Sequence, residues 1–284
     1  MRRGGADVAS SSPAAAPLPS DSASSSSSSS RIARADAVAR QQNELLRRDL
    51  RPVAASGTDQ DTALSATSLA PYARTAPSRL PYAFRAIRLT SSDTLVDLGS
   101  GDGGVVVAAA RATGCRAVGL ERDAKLVQAS RALAEKHAVA HLCEFVVCDL
   151  TRLSADALDA GIGASRSSPT VAFAWLTGGG LSRFSAKLKH LWSTAAVPFR
   201  IVTCVDALDT CCDYVRDGIF AEPCAETTWD VHRGRFAEFG VFVTPPRDVS
   251  LEMWARLEDA ASEDDDDDDD DDDHFDVRAV EDVL

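Results

Sequence analysis

Three acids and a glycine-rich turn carry the chemistry that can be read from this chain. Asp97 stands two residues before the first glycine of Gly99-Ser100-Gly101-Asp102-Gly103, Glu121 closes a later apolar run, and Asp149 follows another, with Leu150 beside it. A turn with no Cβ in the way lets a ligand lie against backbone. An acid beside such a turn can accept hydrogen bonds from a polar ligand and suits a cation carrying an amino group; it repels a pyrophosphate. A carboxylate ending a second strand can accept from two neighbouring hydroxyls in a bidentate grip.

The elements that must hold these groups follow from the pattern around them. Residues 94–98 form a short apolar run of strand type, and residues 105–111 begin an apolar helix face that Gly114 ends. Residues 115–121 then read as a second strand, 123–138 as an amphipathic helix, and 144–148 as a third strand. A short helix and a loose loop reach Pro169. A fourth strand is expected over 170–176, a helix over 181–192 and a fifth strand over 199–205. Residues 227–232 and 236–244, joined by Arg233-Gly234-Arg235, predict an antiparallel hairpin, and a short helix is expected over 251–257. Alternating strands and helices of this kind give an α/β fold, a Rossmann-like doubly wound, mostly parallel sheet with a C-terminal antiparallel hairpin. In such sheets the ligand lies across the carboxyl ends of the strands, where all three acids fall.

Around this core the sequence is biased. Residues 1–30 are rich in Ser, Ala and Pro and are expected to be disordered. Residues 31–51 are expected to form an Arg-rich amphipathic helix that Pro52 ends, and 52–69 a linker; the domain proper is expected over 70–257 and an acidic disordered tail over 258–284. The net charge of −13 is concentrated in the ten aspartates at 264–273, which leaves −3 for everything else. A nearly neutral folded part gives no electrostatic case for nucleic acid. The aspartate run could engage a basic protein or serve solubility. Seven scattered cysteines, an odd number, point to reduced thiols inside a cell. No run approaches the roughly 18 apolar residues of a membrane span. His137 and His141 lie near Cys143 and Cys148, but no pair has close Cys-x-x-Cys spacing, so no metal site is read there. The seven Arg against four acids in residues 1–48 leave a mitochondrial address open beside a cytoplasmic or nuclear one.

Gly99, Gly101 and Gly104 also satisfy the spacing of a dinucleotide-binding turn, so the glycines alone leave a nicotinamide or flavin site open, as well as a plain connection. With Asp97 included, the spacing Asp-x-Gly-x-Gly-x-Gly resembles the first motif of the class I (seven-strand) S-adenosylmethionine (SAM) methyltransferases. The string runs on into Val105-Val-Val-Ala-Ala-Ala110; Pro71, Tyr72, Thr75 and Pro77 lie upstream, and Trp175-Leu176-Thr177 ends the fourth strand. Together these look like the small protein-lysine methyltransferases of the ATP-synthase c subunit and adenine nucleotide translocase type. The likeness covers residues 70–243 and departs at Gly104, where the family usually has Arg, and at Arg74 with an extra residue before Pro77. No hydrophobic anchoring stretch precedes the domain.

The resemblance implies SAM as cosubstrate, held by Asp97, Gly99, Ser100, Gly101, Asp102, Glu121, Asp149 and Leu150. Glu121 would take the ribose hydroxyls and Asp149 the adenine amino group, with Leu150 flanking the base. It also implies a lysine acceptor on a protein, entering a channel lined by Tyr72, Thr75, Trp175 and Thr177, with no residue forming a covalent bond. A small-molecule methyltransferase and a non-catalytic interaction protein on the same fold are the alternatives.

Overall fold

The computed structural model describes Leu69, residues 75–160, 168–176, 178–211 and 228–264, and Val283. The head, the Arg-rich helix, the linker up to residue 68 and the aspartates beyond 264 lie outside the described residues, as do Tyr72 and Thr177.

A 3-10 turn, Pro77–Arg79, leads into α1 (Leu80–Ala86). The chain then alternates: β1 (Thr94–Leu98), α2 (Gly104–Thr113), β2 (Arg116–Glu121), α3 (Ala124–Lys136), β3 (Cys143–Val147). After a second 3-10 turn, Leu150–Arg152, come α4 (Ala155–Asp159), β4 (Val171–Ala174), α5 (Gly178–Thr194) and β5 (Arg200–Cys204). A third such turn, Ala237–Phe239, precedes β6 (Val241–Thr244), and α6 (Leu251–Asp264) follows. The sheet order is β3-β2-β1-β4-β5-β6, all parallel except β6 against β5. This is a doubly wound α/β sheet whose strand order reverses between β1 and β4, the place where such sheets bind ligands.

Each face of the sheet buries its own apolar layer. Leu95, Phe173, Val202 and Val241 pack with α1, α2 and α3 on one side, joined by Trp254 of α6. Val96, Leu98, Ile201 and the Leu181-Phe184-Leu188-Leu191 stripe of α5 pack on the other. Strands covered on both faces lose the polar alternation of half-exposed ones. That is why β1 lacks the alternation of a half-exposed strand, and all five of its residues, Asp97 included, are buried. Val283 is 6% exposed and belongs to the first layer. No helix among the described residues is long and apolar enough to cross a membrane.

Polar contacts fix the amino ends of the strands. Arg200, at the start of β5, donates twice to Asp93 just before β1 (3.0 and 2.8 Å), and the hydroxyl of Thr170 donates to the same carboxylate (2.7 Å). Burial pushes the Asp93 carboxyl up, but Arg200 outweighs it with hydrogen bonds and charge, so the group ends below the usual carboxylate range.

Two expectations change. The predicted hairpin is not a ladder: residues 228–232 touch the strand at a single antiparallel bridge, His232 to Val243, and β6 pairs with β5 instead. Trp229 and Val231 bury themselves against the α5 layer, and the Trp229 indole donates to Ser185 Oγ (2.8 Å), so this segment follows side-chain packing and not the sheet edge. The last helix runs on to Asp264, well past Leu257, and its Glu258 carboxylate pairs with His232 Nε2.

Candidate functional site

The glycine turn is built from below by β2 and α3. Gly99 and Ser100 donate to Leu120 O (2.9 and 3.0 Å), and Gly103 donates back to Ser100 O (2.8 Å), closing the turn. The Ser130 hydroxyl of α3 divides its donation between Leu126 O (2.8 Å) and Gly101 O (3.2 Å). Gly103 has φ 82, and a Cβ there would come within 2.6 Å of Ser130 Cβ and 2.8 Å of Phe145 Cε1. Only glycine fits both the left-handed backbone and the space.

Asp97 is the fourth residue of β1 and is 2% exposed. No hydrogen bond among the described residues reaches its carboxyl. Burial, then the charges of Glu121 and Asp102, push it up to about 8, so it is mostly protonated at neutral pH. Glu121 ends β2 in a half-buried position, and its two oxygens accept from Gly101 N (3.0 Å) and Asp123 N (2.8 Å). Each oxygen keeps a second lone pair. Glu121 is therefore held at the turn before any ligand arrives.

Asp149 lies two residues beyond β3 and caps the 3-10 turn that follows. Its Oδ1 accepts from Thr151 Oγ1 (2.7 Å) and Thr151 N (3.0 Å); the Thr151 hydroxyl is the largest cause of its lowered pKa. Leu150 is buried. Asp102 is half-buried, and its Oδ1 accepts from Gly104 N (3.3 Å) at the start of α2. Ser100 is buried, with a hydroxyl that finds no hydrogen-bond partner. The eight residues expected at the cosubstrate thus all lie in the turn or at the carboxyl ends of β1, β2 and β3. Of the four expected in the channel, Thr75 is buried ahead of the first 3-10 turn and Trp175 half-buried directly after β4.

A cationic ligand with an amino group and a ribose fits this set of acceptors. Asp97 is a buried acid that no hydrogen bond among the described residues reaches, and Glu121 presents a fixed acceptor pair.

Sequence reasoning missed three groups at the end of β5. Cys204 is buried, and burial pushes its thiol up to about 12; Asp206 is 8% exposed; Arg79, 6% exposed, comes up to them from the first 3-10 turn. Between Cys204 and Asp206, Val205 has φ 74 and donates to Gly240 O (2.7 Å). The signal was present: Val205-Asp206 repeats at β5 the pattern of a strand followed by an acid that singled out β1, β2 and β3.

Among known families, the family model described as histone methylation protein DOT1 matches residues 61–147. No curated protein matches the chain. Among solved structures, an RNA methyltransferase from Salinibacter ruber in complex with S-adenosyl-L-homocysteine is 23% identical over 63% of this chain and 97% of its own (TM-score 0.43). A SAM-dependent methyltransferase from Thiobacillus denitrificans, also with S-adenosyl-L-homocysteine, is 22% identical over 45% of this chain and 48% of its own (TM-score 0.35). A geranyl diphosphate C-methyltransferase from Streptomyces coelicolor A3(2) is 20% identical over 44% of each chain (TM-score 0.32). The chain thus spans nearly all of the first and about half of the other two. By its strand order, its glycine turn and the DOT1 match, the chain has the class I SAM-dependent methyltransferase fold.

Proposed function

We propose that this protein is a SAM-dependent methyltransferase whose acceptor is a lysine side chain of a protein. The observation that carries the first half is Asp97, a buried acid of β1 just ahead of the glycine turn that no hydrogen bond among the described residues reaches, with the fixed carboxylate of Glu121 nearby. The lysine acceptor is supported by the match to a family described by histone methylation and by the resemblance drawn from Thr75 and Trp175. Bound SAM would supply a methyl group on a sulfonium; a neutral amine would attack that carbon in line, the N–C bond forming as the C–S bond breaks and S-adenosyl-L-homocysteine leaves.

The residues then have separable tasks. Asp97 ionises to take up the amino group of the cosubstrate, Glu121 accepts from the ribose hydroxyls, and Asp149 offers its second oxygen, Oδ2, to the adenine amino group with Leu150 against the ring. Ser100 and Asp102 act through the turn, Asp102 by accepting from Gly104 N at the start of α2. Trp175 and Thr75 border the approach of the acceptor. Catalysis is alignment in a dry channel, with no covalent enzyme intermediate.

Transfer of labelled methyl from SAM into fractionated lysate, with mass spectrometry of the labelled residue, tests the reading. Label on protein lysine is expected. Label confined to small molecules, or on arginine or glutamine, would refute the acceptor; SAM binding without any transfer would favour an interaction protein, and NAD binding in its place a dinucleotide enzyme.

A further inference from the structure

The first 3-10 turn brings a cation to the acceptor side of the sheet. Asp97, Phe173, Cys204 and Val241 lie on one face, at or near the carboxyl ends of β1, β4 and β5 and the start of β6: Phe173 is paired with Asp97 and Val202, and Cys204 with Val241. Arg79 stands over this face with its Nη1 3.6 Å from the position a Cβ on Gly240 would take, against the turn that enters β6. The negative charge of Asp206 supports the guanidinium there, and Cys204 feels both Arg79 and Asp97. Cys204 lies next to the strand end that Trp175 follows, since Ala174 pairs with Thr203.

We propose that Arg79 sets the charge of the acceptor subsite, its positive charge disfavouring a second cation at the point of methyl transfer so that an amine enters neutral. The proposal rests on the methyltransferase reading above. A guanidinium does not lose its proton at working pH, so the field is permanent. A like charge nearby disfavours the charged form of an amine, and a lysine beside another cation is a recognised way to obtain a neutral nucleophile. Asp206 opposes this field, and the two residues therefore tune it in opposite directions.

The test needs no acceptor protein. Sinefungin carries an ammonium where SAM carries its transferable methyl, whereas S-adenosyl-L-homocysteine carries nothing there; both share the amino-acid and nucleoside ends. The ratio of their affinities at pH 7, by calorimetry on the full chain, reads the charge of that point alone. Arg79→Gln should shift the ratio toward sinefungin on the order of three- to tenfold, the effect of removing one partly screened charge. Arg79→Lys should leave the ratio in place, and Asp206→Asn should shift it against sinefungin. A ratio unmoved by Arg79→Gln, an equal loss of both ligands, or the same shift in Arg79→Lys would overturn the proposal, since these mark a clamp on the shared ligand ends or a packing role. If the unaltered protein bound neither ligand, the methyltransferase reading would fall and this inference with it. Binding of both with an unmoved ratio would remove the inference alone.

Discussion

Binding of SAM should expel a proton, and Asp97 is the reason. Its carboxyl is raised to about 8, so roughly a tenth of it is ionised at pH 7. An ammonium must meet the ionised form, and reaching that form costs about 1.4 kcal/mol at pH 7. Affinity should rise about tenfold per pH unit up to pH 8, then fall as the ligand's own amino group, ordinarily near 8, loses its proton. The assay is calorimetry at pH 7 in buffers of different ionisation heat, whose slope counts protons released. Close to one proton is expected for the unaltered protein, and none, with weaker binding, for Asp97→Asn. No release from the unaltered protein, or the same release from the variant, would refute the reasoning. The raised pKa also makes folding pH-dependent. Between about pH 4 and 8 the unfolded chain has lost the proton that the native state keeps, so this group lowers stability by about 1.4 kcal/mol per unit as pH rises, and the loss levels off above 8. Asp97→Asn should flatten that slope in thermal unfolding.

Glu121→Gln should weaken SAM by about 1.5–3 kcal/mol, the range for charge-assisted hydrogen bonds, as titration calorimetry would show. It should also lower the melting temperature, because the new NH2 cannot accept and the side chain no longer serves both Gly101 N and Asp123 N. Arg200→Met strands Asp93 and should cost about 3–5 kcal/mol in denaturant unfolding. Because Asp93 sits below its ordinary range, its contribution is present above about pH 4 and disappears as pH falls through the lowered value; Asp93→Asn should remove that acid-limb dependence. Gly103→Ala should lose far more stability than Gly114→Ala. Both sites are left-handed, at about 1–2 kcal/mol each, but a Cβ at 103 also strikes Ser130 and Phe145, while at 114 the nearest atom is 3.8 Å away.

Burial decided what could be read from the sequence. Residues 94–98 are covered on both faces, and β1 has the limits the apolar run suggests; β2 and β3 fall within a residue of expectation. Gly114, with φ 70, ends α2 where its backbone freedom says it should. The segment around Trp229 and Val231 alternates like a strand, yet its side chains are recruited by α5, a tertiary preference that alternation cannot reveal. The last helix outran its apolar repeat because Glu, Asp and Ala can continue a helix already docked by Trp254. The glycine turn and the acids near strand ends were legible because spacing alone marks them. Arg79 was not, since an arginine between two prolines looks like surface until α1 carries it into the sheet.

Val283 enters the same apolar layer as Trp254 of α6 and is 6% exposed. Burying one valine is worth about 1.5–3 kcal/mol, so Val283→Asp should weaken the layer that docks α6 against the sheet.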